Sequence, residues 1–308
     1  MFFKDIYTSM RLGFLALLES VMSSNPPSNA RYLFGVSSRR IDVENWADHA
    51  LREEFFDYST SSSITTLTYC KATGGKNHEF VLLEIQTPDG TSHLMIDREP
   101  TTHPKSSSSP LPSIAPIATS SKIASGRRVP ADDNVWVPEK GGEATLCKWV
   151  FHEHGKYRIV SQLTWADSQP TMSAAQLSIL LRAIHEHSQF YHAKSNSCYW
   201  FAFTIMEVIR GKFPGIHTEG PAFKDRGEYL GWSADLEDAV ATVSGLYDAA
   251  WVECAGQAQR RAVSYIDLCA LSLRFLKFDR MRHRKICGLL QQQRQTVKRD
   301  GRPKQRGN

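Results

Sequence analysis

Cys198 is the residue whose setting most favours nucleophilic chemistry. A catalytic thiol needs a stabilised thiolate, a base within hydrogen-bonding reach and a third polar group that orients the base. Cys198 lies in the segment Asn196-Ser-Cys-Tyr-Trp-Phe-Ala, where Asn196 can cap a strongly apolar helix. The free N–H groups and the dipole at the start of a helix favour negative charge. The sequence therefore predicts Cys198 as a nucleophile held on a rigid element.

His78 is the candidate base, because it opens an apolar strand where a polar ring is unusual unless it faces a cleft. A hairpin following this strand places residue 99 or 100 opposite His78. We therefore expect Asp97 to orient the imidazole, with Glu99 as the reserve. His93 would pair near residue 85, which is more than about 20 Å from His78 at about 3.3 Å per residue. His93 is excluded as the orienting group.

This arrangement resembles the circularly permuted papain-like superfamily, which includes lecithin retinol acyltransferase-like, NlpC-type and deubiquitinating-type enzymes. In those families a histidine opens a strand, a polar residue follows on the next strand, and an Asn-Cys-aromatic motif begins a later helix. The resemblance covers residues 60–210, and it extends to fungal proteins that end this unit in Cys-Tyr-Trp-Phe-Ala. The matching stretches are His78-Glu-Phe-Val-Leu-Leu-Glu, Leu94-Met-Ile-Asp97-Arg and Asn196-Ser-Cys198-Tyr-Trp-Phe.

The resemblance implies an α+β fold in which an antiparallel sheet packs on the helix that begins at Cys198. It also implies a thiol-dependent hydrolase or acyltransferase acting on an amide, isopeptide or ester of a protein, peptide or acyl substrate. Cys198 would attack a carbonyl, His78 would transfer the proton, and the Cys198 N–H would donate to the oxyanion. No cofactor or metal is expected. The sequence departs from the family pattern at Ser197, which separates Asn196 from the cysteine.

Structural interpretations remain open for each of these residues. A cysteine at a helix start is often a small buried hydrophobic residue, His78 could be a structural histidine, and Asp97 could pair with an arginine. The alternative function is a catalytically silent scaffold that binds a protein or nucleic acid.

Two histidine clusters could bind a metal ion. His152-Glu-His154 is predicted on a strand, and His185, His187 and His192 lie around a helix end. Neither cluster has a third ligand at zinc spacing. We therefore expect both to be solvated surface.

The elements around these residues suggest four regions. They are an N-terminal helical region at 1–58, the papain-like core at 59–215 with a disordered insertion at 101–140, a C-terminal helical region at 216–279, and a disordered basic tail at 280–308. The pattern predicts strands near 64–70, 78–85, 92–97, 145–152 and 157–165, and helices at 5–22, 42–56, after Ser173, from Asn196 and through most of 233–278.

Composition excludes several classes of protein. Apolar residues make up 41% of the 308 residues, and seven tryptophans and fifteen phenylalanines argue against a mainly disordered chain. The cysteines, at positions 70, 147, 198, 254, 269 and 287, contain no CxxC pair. That spacing fits neither a zinc ribbon nor a disulfide-stapled module. Cysteines of this kind are typical of a protein in a reducing compartment.

The net charge of +5 is concentrated in the tail, because residues 274–308 contain twelve Lys and Arg against two acids. This tail could bind nucleic acid or an import receptor. No apolar run reaches the roughly 18 residues of a membrane span. The short apolar run at 12–18 is interpreted as part of an amphipathic helix, with a secretory signal as the alternative. Cytoplasmic or nuclear localisation is expected.

Overall fold

The structure, a computed structural model, describes most of the residues between 39 and 260. By the clustering of its contacts the chain divides into two units, 1–250 and 251–308, and in the second unit residues 251–260 are described and are helical. The predicted helix at 5–22 and the basic tail at 280–308 lie outside the described residues. The described residues are 33, 39–73, 78–101, 128–138, 142–166, 169–192, 195–229, 232–233 and 236–260.

Eight strands of the described part form one open antiparallel sheet, so the fold is mixed α+β. The strand order is β1-β5-β4-β3-β2-β6-β8, and β7 pairs with β5. A separate pair, β9 and β10, forms a small hairpin. The strands are β1 (Arg39–Asp42), β2 (Ser63–Ala72), β3 (Glu79–Thr87), β4 (Gly90–Pro100), β5 (Val129–Val137), β6 (Tyr157–Thr164), β7 (Phe190–Tyr191), β8 (Ile216–Glu219), β9 (Glu228–Tyr229) and β10 (Trp232–Ser233).

The helix predicted at 42–56 is two helices, α1 (Val43–Leu51) and α2 (Glu53–Ser61). Arg52 separates them because its backbone is extended, with φ −61° and ψ 145°. Asp42 is the N-cap of α1, and its carboxylate accepts a hydrogen bond from the Asn45 N–H at 2.9 Å.

The expected helix after Ser173 is also confirmed, as α4 (Ala174–His187). Ser173 and Gln176 form a reciprocal capping box at its start. Leu177, Leu180, Leu181 and Ile184 form a buried apolar stripe on this helix, and α1 and α2 pack against the helix.

The helix predicted from Asn196 begins two residues later, as α5 (Cys198–Lys212). Its N-cap position is occupied by Ser197, whose side chain makes no capping hydrogen bond to any described residue. The expected Asn196 cap is therefore wrong. The main chain of Asn196 instead pairs with His192.

Residues 145–152, predicted as a strand, belong to helix α3 (Glu143–His154). Leu146 and Val150 are four positions apart and both are buried, which is the spacing of a helix face. Gly155 ends the helix with φ 74°, a conformation that a side chain disfavours.

The insertion predicted as disordered at 101–140 contains strand β5, so that prediction is wrong for 129–137. β5 lies between β1 and β4 and buries Val135 and Val137. The serine- and proline-rich composition that suggested disorder ends before this segment, and residues 102–127 lie outside the described residues.

The sheet has a helix layer on each face. Helix α5 packs on β2, β3 and β4, and its Trp200 and Phe201 lie against Arg98 of β4. Helix α3 packs on the opposite face. Met95 of β4 packs against α3 and Arg98 of β4 contacts α5, and these two residues point to opposite sides because side chains alternate along a strand. The cluster on the α3 face contains Cys70, Ala72, Phe80, Met95, Leu146 and Val150.

Candidate active site

His78 and Asp97 meet where β3 begins. His78 lies one residue before β3, where its carbonyl accepts a hydrogen bond from the Ala72 N–H at 2.7 Å. Its Nε2 is 3.4 Å from Asp97 Oδ2, and the Asp97 side chain is only 1% exposed. Glu99, the reserve orienting residue, pairs instead with Arg40 at 3.0 Å. The geometry therefore favours Asp97 as the partner of His78.

Cys198 reaches this pair from the first position of α5. Its side chain interacts electrostatically with that of His78, although the residue is only 6% exposed. The Tyr191 hydroxyl also points to the sulfur, at 3.9 Å. The structure thus brings together the three residues that the sequence singled out, and adds Tyr191, which it did not.

The charges of the site favour an imidazolium at His78. Burial lowers the pKa of His78, but the neighbouring Cys198 and Asp97 side chains outweigh it and raise that pKa to about 10. His78 therefore lies between a cysteine and a buried carboxylate, and its charged form is favoured.

His154 is a fourth member of the site that sequence reasoning missed. Its side chain is 8% exposed, its Nε2 lies 4.0 Å from Asp97 Oδ2, and its ring stacks on His78 with centroids 4.6 Å apart. Burial and the charge of His78 lower the pKa of His154 to about 4, so the ring is neutral.

The expectation that His154 is solvated surface is wrong, whereas His152 is exposed as expected. The error follows from the strand predicted here. On a helix, Leu146, Val150 and His154 recur every four residues and share the buried face. This four-residue spacing is the sequence pattern that could have predicted a buried His154.

The other histidine cluster is dispersed. His185 bonds Asp133 at 2.7 Å, His192 lies 3.0 Å from the Ser195 hydroxyl, and His187 stacks near Trp200. Within the described ranges these three side chains do not converge on a common point.

A cluster of three buried polar side chains, Tyr69, Lys71 and Glu79, lies close to Cys198. The Tyr69 hydroxyl donates to Glu79, and Lys71 Nζ lies 2.9 Å from the same carboxylate and donates to the Asp225 carbonyl at 2.6 Å. Burial and Glu79 raise the pKa of Tyr69, and Cys198 contributes to this rise. These contacts join β2 and β3 next to the site, and no sequence pattern indicates them, because Glu79 lies in an apolar run.

No protein-family model, curated protein or solved structure matches this chain. None of the helices in the described part of the chain combines the length and the apolar character that a membrane span requires.

Proposed function

We propose that the protein is a thiol-dependent hydrolase or acyltransferase that acts on an amide, isopeptide or ester through an acyl intermediate on Cys198. The observation that supports this most directly is the position of His78, whose side chain is within reach of both Cys198 and Asp97. Nucleophile, base and orienting group are the three parts that acyl transfer by a thiol requires.

The first half-reaction begins with attack of the Cys198 sulfur on the substrate carbonyl carbon. The tetrahedral intermediate collapses when the bond to the leaving group breaks, and His78 donates its proton to that group. The Cys198 N–H lies in the first turn of α5, where N–H groups have no intrahelical acceptor, and it can donate to the oxyanion. The Tyr191 hydroxyl is a second donor beside the sulfur.

The second half-reaction returns the enzyme to its starting state. Water, an amine or an alcohol attacks the thioester carbonyl while the neutral His78 takes its proton. The Cys198 thiolate leaves, and the thiolate–imidazolium pair forms again. Asp97 holds the imidazole in one orientation throughout.

A permuted papain-like core is part of the proposal. It is supported by the chain order of histidine strand, aspartate strand and cysteine helix, and by the packing of α5 on an antiparallel sheet. Two features differ from the family pattern, namely Ser197 at the N-cap and the additional strand β5 after β4.

The test is acyl-enzyme formation with p-nitrophenyl acetate. We expect a burst of p-nitrophenol and an acetyl adduct that peptide mapping places on Cys198. Cys198→Ala should lose both, His78→Ala should slow the burst, and the exposed His152→Ala should behave like the wild type. Equal rates in the wild type and Cys198→Ala would make the catalytically silent scaffold the better account.

A further inference from the structure

Three potential metal ligands converge beside Cys198 from three different elements. His78 precedes β3, Asp97 belongs to β4, and His154 is the last residue of α3. One ligand atom from each lies within 4.8 Å of the others, and in the described part of the chain this is the only group of three or more such side chains.

The two imidazole nitrogens at this point are buried and lack hydrogen bonds. His78 Nε2 and His154 Nε2 have no hydrogen-bond partner among the described residues. The 3.4 Å approach of His78 Nε2 to Asp97 Oδ2 is an ion-pair distance without hydrogen-bond alignment. A buried polar atom left unpaired costs about 1–3 kcal/mol. Two such nitrogens beside one buried carboxylate indicate a shared partner that is not part of the chain.

The separations agree with a tetrahedral ion. Two ligands that are each about 2.0–2.2 Å from such an ion lie about 3.3–3.6 Å apart. The pair His78 Nε2 and Asp97 Oδ2 is 3.4 Å apart, and the pair His154 Nε2 and Asp97 Oδ2 is 4.0 Å apart. The second pair needs to close by well under 1 Å.

The donor atoms select the metal. Two imidazole nitrogens and a carboxylate suit Zn²⁺, whereas Mg²⁺ and Ca²⁺ require oxygen ligands.

We propose that His78, Asp97 and His154 bind one Zn²⁺ ion with solvent as its fourth ligand, and that bound zinc blocks acyl transfer by Cys198. The ion takes the Nε2 lone pair of His78 and the Asp97 carboxylate that orients the ring, so the base is not available for acyl transfer. Binding is independent of the proposed function, whereas inactivation rests on it.

Zinc affinity is the first measurement. The metal-free full-length protein is titrated with Zn²⁺ in competition with a chromophoric chelator, and we expect one equivalent to bind. His154→Ala should weaken binding at least about tenfold. His152→Ala is the matched control, because His152 lies on the same helix with its side chain 82% exposed, and it should bind like the wild type. Equal affinity in His154→Ala and the wild type would overturn the proposal.

Cobalt reports the ligands directly. Co²⁺ in the wild type should give the visible bands of a tetrahedral site. His154→Ala should lose these bands, whereas Cys198→Ala should keep them, because the sulfur is not in the ligand group. A wild-type spectrum without tetrahedral bands would contradict a zinc site formed by these three residues.

The acyl-enzyme burst separates the two proposals. A Cys198-dependent burst that Zn²⁺ abolishes and EDTA restores supports both. Absence of a burst in the metal-free protein, with zinc binding intact, overturns the proposed function and leaves the zinc site. A burst that stoichiometric Zn²⁺ does not change overturns the inactivation by zinc and leaves the thiol chemistry.

Discussion

Asp97 and Arg98 are consecutive residues of β4, and their side chains lie on opposite faces of the sheet. Asp97 lies beside His78, whereas the fully buried Arg98 donates to Asp133 through Nε at 2.5 Å and Nη2 at 2.7 Å. The Arg98 guanidinium also lies 4.9 Å from the Trp200 ring centroid and donates to the Asn196 carbonyl at 3.4 Å. One strand therefore places a carboxylate beside His78 and an arginine against the start of the helix that begins at Cys198.

Arg98→Met should be strongly destabilising. It leaves the Asp133 carboxylate buried with its main partner gone, and such losses lower the free energy of unfolding by about 3–5 kcal/mol. Arg40→Met is the control, because its pairs with Glu99 and Asp132 are partly exposed and contribute about 0–1 kcal/mol. Urea unfolding followed by tryptophan fluorescence measures both. Similar losses for the two variants would contradict a structural role for the buried pair.

Cys198 should react faster with iodoacetamide at pH 7 than Cys147 or Cys254, although both of those are more exposed. Exposure alone predicts the opposite order, so faster reaction requires the thiolate that His78 stabilises. His78→Ala should remove the advantage, as measured by site-resolved mass spectrometry under metal-free conditions. If Cys198 reacts no faster than Cys147, the thiol is a structural residue.

Asp97→Asn and Glu99→Gln form a matched pair of neutral substitutions two positions apart on one strand. Asp97→Asn removes the charge that faces His78, and we expect about tenfold or greater loss in the rate of Cys198 alkylation or acylation. Glu99→Gln affects only a partly exposed contact with Arg40, so the rate should stay unchanged. The reverse ranking would make Glu99 the orienting group.

The parts of the site that the sequence predicts are those set by local pattern. The hairpin register can be counted from its turn, and the observed pairing of Val81 with Ile96 puts residue 99 opposite position 78, as the count predicts. The register therefore brings both Asp97 and Glu99 near His78, and the contact with Arg40 is what turns Glu99 away. The start of an apolar helix similarly locates Cys198.

The parts that the sequence does not predict depend on contacts between distant segments. The position of His154 depends on α3 packing across the sheet, where a mixed strand and helix pattern at 143–154 misled the prediction. β5 is stabilised by its neighbours β1 and β4, and the serine- and proline-rich stretch before it obscures its short alternating pattern.

The pH dependence of stability should show the contribution of His185. Its hydrogen bond to Asp133 is the main cause of a raised pKa, opposed by burial and by Arg98 and assisted by Glu44. A raised folded-state pKa means that the stabilisation is complete below about pH 6.5, the unfolded value, and is lost as pH rises through the folded value.

The measurement is the difference in free energy of unfolding between the wild type and His185→Gln. That difference should be largest near pH 6 and shrink as pH rises, because only the protonated ring forms the ion pair with Asp133. His152→Gln, on an exposed surface, should give a small difference that does not vary with pH. A difference for His185→Gln that grows with pH would contradict this prediction. It would mean that the Asp133 carboxylate, 2.7 Å from the ring, stabilises the neutral form of His185 and not the protonated form.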